Sequence, residues 1–489
     1  MRELILILPE ILLALTLAFV ILGEVTYHGE RLRLISVTAL LGLGSAFLQA
    51  LLAYQYGAER VFSGTLVVDG LSLFFRLFFI ALAMIAVVMS LHSREIAPSR
   101  RPEYIALITA GSLGMCIAAS AANLLLAFLA LQFINLVGYF LAGYSKRSPR
   151  SNEAALKFLI VGAVAGALLA YGMAMLFAST QLLNIHEIHR TLVSTPLAAT
   201  AALVIFLLLF LALAFQMTLF PMHLWASDVF SGAPTPATAF LAIGVRAAGF
   251  ALAIRFLLVL FAQPALQSGE WQVLGGVPWQ GVLALASGVT MIAGSLLALR
   301  QTAAKKMVAN LVVAESGFLI MGLLVMNEIG VSALLYNLLV QLFAIAGAFY
   351  VISHFVNEVR SDRLTELRGM LGRTVFQSVC LILFLVSLIG FPPMPGFIGK
   401  FALIGAALQQ QRIGLVSVAV LAFALSAIAL ARLAFALIGD FKKLSGPPIA
   451  TPLRTKIFLG FLMMPLLLTG IFAEQALGWA TKSIGSILW

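Results

Sequence analysis

At 489 residues, with 62% hydrophobic and 10% charged side chains, the chain falls far short of the quarter-charged composition of soluble domains, and that class is excluded. Its net charge of +11 comes from basic residues scattered singly or in small groups, not from a continuous basic face, so nucleic acid is excluded as a partner. The two cysteines, Cys116 and Cys380, lie far apart in apolar runs and read as packing residues, not as a disulfide or metal pair.

A bilayer crossing needs about 20 apolar residues. By that measure the chain is an all-α polytopic membrane protein with about 14 transmembrane helices. Their expected limits are 4–22, 34–56, 71–91, 103–120, 122–144, 154–178, 199–220 (continuing brokenly to 230), 236–262, 278–299, 306–326, 329–355, 375–408 (broken), 413–439 and 456–474. Met1-Arg2-Glu3 lacks the basic region of a cleavable signal, so residues 4–22 read as a retained first span. The longest connection, 181–196, contains NIHEIHRTL, a short interfacial helix. His186 and His189 there are three apart, but no third ligand lies nearby, and no metal site is expected.

Alternate loops carry 20 basic residues: Arg31, Arg33; Arg94, Arg100, Arg101; Lys146, Arg147, Arg150, Lys157; Arg300, Lys305, Lys306; Arg360, Arg363, Arg368, Arg373; and Lys442, Lys443, Arg454, Lys456. The other side holds 5: Arg2, Arg60, Arg190, Arg412 and Lys482. This asymmetry predicts an even number of spans with both termini outside, on the periplasmic side of a bacterial cytoplasmic (inner) membrane or its equivalent.

Five basic residues remain inside spans. Arg76 and Arg255 lie near the outer ends of their helices, where they are expected to snorkel; Arg432 is about two turns from the inner end. Arg246 lies ten residues into its span, about 15 Å deep, at the midplane. Lys400, twelve residues before Arg412, and Glu315, ten residues after Lys305, are similarly deep. Ionisable groups at that depth point to function.

Two spans are interrupted. The stretch FQMTLFPMHLWASDVFSGAPTPATAFLAIGVRAAGF (215–250) breaks at Pro221, and GFPPMPGFIGKF (390–401) places three prolines, three glycines and Lys400 in apolar sequence. Proline removes a backbone donor, and freed backbone at membrane depth survives only where protein or a wet cavity covers it. Pro221, His223, Asp228, Pro392 and Pro393 are therefore expected to be structural at the breaks, with His223 serving freed carbonyls and Asp228 capping the following half-helix. The broken spans are the seventh and twelfth. Five apart, they cross in opposite directions, which is the arrangement of inverted-topology repeats. The expected organisation is a single membrane domain: 1–100 the first three helices, 101–265 a first five-helix repeat, 266–440 a second, and 441–489 the last helix.

Midplane ionisable groups at helix breaks suit movement of protons or small cations. Desolvation disfavours a lysine's charge, so a buried lysine can exchange a proton, whereas arginine stays charged.

At these motifs the sequence resembles the antiporter-like membrane subunits of respiratory complex I, the proton-pumping NADH–quinone oxidoreductase, and its N-type subunit in particular. The resemblance spans the chain and is carried by FPMHLWASDVFSGAPTPATAFLAIG, GFPPMPGFIGKF, SNEAALKFLIVGA (151–163) and VVDGLSLFFRLFF (67–79). It implies fourteen helices in two inverted five-helix repeats, no redox centre or cofactor in this chain, and proton translocation driven by quinone chemistry elsewhere. Flavin, iron–sulfur clusters and quinone would belong to partner subunits, and the partners would be other membrane-arm subunits of a complex I type assembly. Lys400, Glu315 and Arg246 become the proton-translocation candidates.

This sequence also departs from the family. The fifth-helix glutamate is Gln132, in ALQFINL; the seventh-helix lysine is Gln216; the eighth-helix lysine is Arg246; and the tenth-helix histidine is Glu315, in VVAESGF. The first repeat's relay is thus expected to be altered or inactive. Two alternatives stand beside a conducting subunit: a non-conducting structural subunit of such a complex, and an Mrp-type cation/proton antiporter subunit.

Overall fold

The computed structural model describes residues 2–26, 32–265, 269–274, 279–439, 449–485 and 487. Three of the basic loop residues, Arg31, Lys442 and Lys443, lie outside the described residues.

The chain is a bundle of long apolar helices: α1 (Leu8–Thr26), α2 (Leu32–Leu52), α3 (Gly70–His92), α4 (Arg101–Ser120), α5 (Leu124–Ala142), α6 (Pro149–Thr180), the short α7 (Ile185–Ser194), α8 (Ala199–Gln216), α9 (Leu224–Gly232), α10 (Thr235–Leu260), α11 (Trp279–Arg300), α12 (Ala304–Leu324), α13 (Glu328–Val359), α14 (Val375–Ile389), α15 (Pro395–Gln409), α16 (Ile413–Ile438), α17 (Leu453–Ile471) and α18 (Ala473–Gly485). Among the described residues, 13 helices are long and apolar enough to cross a membrane, and Val375–Ile389 is a shorter apolar one. With α15 it makes the fourteenth crossing. Both interruptions fall where the prolines predict: α8 stops at Gln216 and the helix resumes at Leu224, and α14 stops at Ile389 and resumes at Pro395.

The loops carry an independent record of the alternation. Two β-hairpins, β1 (Glu59–Val61) with β2 (Leu66–Val68) and β3 (Ala262–Pro264) with β4 (Trp271–Val273), follow the second and eighth spans. Isolated bridges join Leu66 to Ala121, Asn123 to Asn184 and Glu270 to Asn327, while another joins Ala303 to Arg363. Each bridge joins loops an even number of spans apart. Loops on one end can pair only with one another, so a missed span would have broken this pattern.

Helices α10 and α12 are buried along their whole length, while α1, α16 and α17 present most of their surface outward. A bundle core in lipid gains little from hydrophobicity and depends on close packing and polar contacts between helices. Close packing shows at Gly294, where an added Cβ would stand 2.4 Å from the Ala314 backbone nitrogen. The C-terminal α18 is an amphipathic addition that the hydropathy pattern does not single out. It lies against the bundle through Trp479, which donates to the Tyr54 hydroxyl at 3.1 Å, and Thr481, which donates to the Ser332 hydroxyl at 3.0 Å.

Candidate proton-relay site

The second break explains how Lys400 is held. In an uninterrupted helix the Ile389 carbonyl would accept from residue 393, but Pro393 has no N–H to give. The Lys400 ammonium donates to that carbonyl instead, at 2.5 Å. Gly390 has φ +88 and faces Lys400 Cδ, where a Cβ would stand only 2.8 Å away. At Gly396 a Cβ would sit 1.7 Å from the Ser387 carbonyl oxygen, so only glycine lets the two half-helices approach.

The same ammonium donates to Glu315 Oε1 at 2.6 Å, with both side chains buried. It also lies over the face of the Phe318 ring, 4.1 Å from the centroid, an added attraction for a desolvated cation. Gln341 of α13 closes the other side: its Nε2 donates to Glu315 Oε2 at 3.3 Å, and its Oε1 accepts from Arg246 at 2.6 Å. Arg246 also donates to the Val312 carbonyl at 3.0 Å. A π-helical turn, Leu241–Val245, immediately precedes Arg246 in α10. Such wide turns re-aim the side chains that follow. The result is a buried polar line, Lys400–Glu315–Gln341–Arg246, drawn from four helices.

Arg246 and Glu315 are therefore not a direct ion pair; an amide separates them, and the carboxylate's ionic partner is Lys400. Gln341 had no place in the sequence reading. The available signal was two amides, Asn337 and Gln341, one helical turn apart in a mostly apolar span. Asn337 packs on Gly399, next to Lys400, where a Cβ would meet its amide at 2.4 Å.

The first break sits against the same helix. Thr218, in the left-handed region at φ 56, shares a hydrogen bond of 2.8 Å with Ser316, the residue after Glu315. The Phe220 N–H donates to Thr290 Oγ1 at 2.9 Å. Gln216 does not reach Gln132. It donates to Asn135 Oδ1 at 2.7 Å, while Gln132 is partly exposed against Gly166 of α6 and has no hydrogen-bond partner among the described residues.

Several expectations at the breaks and helix ends are corrected. Asp228 caps nothing: it lies within α9 and accepts from Lys157 at 2.5 Å and Lys306 at 2.9 Å, joining α9 to α6 and α12. His223 Nδ1 has no hydrogen-bond partner among the described residues, so it does not serve a freed carbonyl. Arg76 and Arg255 do not snorkel. Arg76 pairs with Glu10 at 2.6 Å and donates to the Leu6 carbonyl. Arg255 grips Asp69 with two hydrogen bonds, of 2.8 and 3.1 Å, and donates to the Ala119 carbonyl at 2.7 Å. Asp69 also forms a capping box with Ser72 at the start of α3. The motif VVDGLSLFFRLFF is thus a structural clamp: Asp69 and Arg76 are its two polar ends, and each neutralises a charge that burial would otherwise make costly. Arg432 is partly exposed and reaches the Gln301 carbonyl at 3.4 Å.

Residues 121–426 match the family described as NADH:quinone oxidoreductase/Mrp antiporter, TM. The chain is 35% identical to NADH-quinone oxidoreductase subunit N of Chlorobium chlorochromatii over 83% of this chain and 79% of that one. It is 32% identical to the protein of the same name from an Anaeromyxobacter species, over 97% and 95%. In three dimensions it is similar to a chain of respiratory complex I from Thermus thermophilus, with a TM-score of 0.79, 28% identity, and coverage of 97% of this chain and 99% of that one. This chain, whose described residues hold long apolar helices and two broken ones, belongs to the NADH:quinone oxidoreductase/Mrp antiporter transmembrane family.

Proposed function

We propose that the chain is the N-type membrane-arm subunit of a complex I type NADH–quinone oxidoreductase, and that it moves protons through the Glu315–Lys400 pair as quinone is reduced elsewhere in the assembly. The observation that carries this reading is the buried ion pair of 2.6 Å at a proline-made helix break. Lysine and glutamate can each exist charged or neutral, so a proton can pass between them without leaving a net charge in the apolar interior. Arg246 is the fixed charge of the line, and Gln132 and Gln216, which stand outside it in the first half of the chain, are inert, because amides take up no proton near neutral pH. The chain would act as part of a translocase with flavin, iron–sulfur clusters and quinone held by other subunits. Its membrane would be the bacterial inner membrane, with both termini on the periplasmic side, and spans 4–8 and 9–13 would be the two inverted repeats.

The test is Lys400→Ala in the assembled complex, reconstituted into liposomes with proton uptake measured per NADH oxidised. A lower ratio with intact assembly is the expected result. An unchanged ratio would leave a structural, non-conducting subunit, the reading that the amides at Gln132 and Gln216 favour. Sodium-coupled proton exchange without NADH would point instead to an Mrp-type antiporter.

A further inference from the structure

Gln341 touches both the fixed charge and the exchangeable carboxylate, and its two ends are not interchangeable. Arg246 has only donors to offer, so the Gln341 carbonyl must face it, as it does at 2.6 Å. The amide N–H groups are then left facing Glu315 Oε2. That oxygen accepts from Gln341, and among the described residues no other group hydrogen-bonds to it, so its remaining lone pair has no partner to take a proton from or pass one to. The other carboxyl oxygen, Oε1, faces Lys400. Gln341, Arg246 and Glu315 are all buried, with 1–2% of their surface exposed, so water is poorly placed to override this polarity. The charged groups acting on Glu315 are Lys400 from α15 and Arg246 from α10.

We infer that Gln341 is a positioning residue: held in one orientation by Arg246, it confines proton exchange at Glu315 to Oε1, on the Lys400 side, and closes the path towards Arg246. The inference deepens the transport reading and rests on it for the identity of the moving proton. In the exchange step the Lys400 N–H bond breaks and an O–H bond forms on Glu315 Oε1, leaving a neutral amine and a carboxylic acid; the reverse step restores the ion pair. Throughout, Oε2 goes on accepting from Gln341. No proton continues through the amide, because its carbonyl would have to be protonated and its nitrogen deprotonated, neither of which occurs near neutral pH. The permanent charge of Arg246 thus acts as a latch on the amide, not as a relay.

The experiment is infrared difference spectroscopy of the full assembled complex, reading the carboxylic acid C=O stretch of Glu315, with Glu315→Gln used to assign the band. In Gln341→Leu the donor to Oε2 is lost, and the protonated-to-ionised ratio at a fixed neutral pH should rise about tenfold, the size expected for a charge-assisted hydrogen bond. Gln341→Met serves the same purpose should the leucine variant fail to assemble. Arg246→Gln leaves Gln341 in place but frees its amide to turn and accept from a protonated Glu315, so it should show the same rise. Arg246→Lys keeps a donor-only cation and should not. An unchanged ratio in the Gln341 variants or in Arg246→Gln overturns the inference. A rise there combined with full proton stoichiometry in Lys400→Ala would keep the positioning role and discard transport. Loss of stoichiometry in Lys400→Ala with no infrared change would do the opposite.

Discussion

Lys400 and Glu315 are 85 residues apart in the chain and 2.6 Å apart in the fold. Each comes from a different helix, and each is also held by a second group: Lys400 by the carbonyl that Pro393 leaves free, Glu315 by the Gln341 amide. A buried pair of this kind loses about 3–5 kcal/mol when one member is removed, because the other charge is left uncompensated. Exchange of a proton between the two avoids that penalty. Lys400→Arg should therefore preserve the charge and the assembly yet lower the proton-to-NADH ratio to the value of Lys400→Ala, since arginine does not release a proton. Wild-type stoichiometry in Lys400→Arg would show that the position needs only a cation.

The first half of the chain should be insensitive at its amides. Gln132→Leu is expected to leave proton stoichiometry unchanged, and so is Gln216→Leu, although the latter strands the Asn135 amide at a cost of about 1–3 kcal/mol in stability. Proton uptake in liposomes and the melting temperature of the purified complex separate the two effects. If either leucine variant abolished uptake in a stable complex while the triple change Gln132→Glu, Gln216→Lys and Arg246→Lys left it unaltered, the inert-half idea would be wrong.

The clamp between Asp69 and Arg255 predicts a non-additive pair. Asp69→Ala strands the arginine and removes the cap of α3, and should destabilise the chain by about 3–5 kcal/mol. Asp69→Leu combined with Arg255→Met should recover a large part of that loss, because the desolvation penalty goes with the charges. Thermal melts of the single and double variants measure the coupling; strict additivity would mean that the two residues act separately.

On the loop side, burial together with the charges of Arg60 and Arg255 pushes the His186 imidazole down to about 4, with Asp69 opposing. The value in the unfolded chain is near 6.5, so the unfolded state holds the extra proton between these limits. The stability linked to this group is present above about pH 6.5 and is lost as pH falls towards 4. His186→Phe should raise the melting temperature relative to wild type at pH 5 more than at pH 7.5. Equal changes at the two pH values would remove the imidazole from the explanation.

Sidedness follows from the basic loops. A cysteine placed at Lys306 should label from the cytoplasmic side and one at Arg190 from the opposite side, using a membrane-impermeant reagent on intact cells and inverted vesicles. Labelling of both from the same side would contradict the orientation proposed for both termini.

Hydropathy and proline positions by themselves marked the apolar helices and the two breaks, and they set the depth expected for Arg246, Glu315 and Lys400. These are local or one-dimensional properties: a run of about 20 apolar residues is one crossing, a proline always withholds a donor, and depth is residues multiplied by rise. Partnership belonged to the tertiary structure. Arg76 and Arg255 sit near helix ends, where sequence alone favours snorkelling, yet Glu10 and Asp69 approach from other segments and turn them inward. Asp228 looks like a cap in the sequence but is claimed by Lys157 and Lys306. Gln341 carries no charge; its spacing from Asn337 hints at a polar face, but the sequence does not say that this face meets Arg246 and Glu315. What decided these pairings was the rotation and packing of whole helices, including the π-helical turn before Arg246. A pattern along one chain segment specifies which face is apolar, but not which polar group another helix will bring to it.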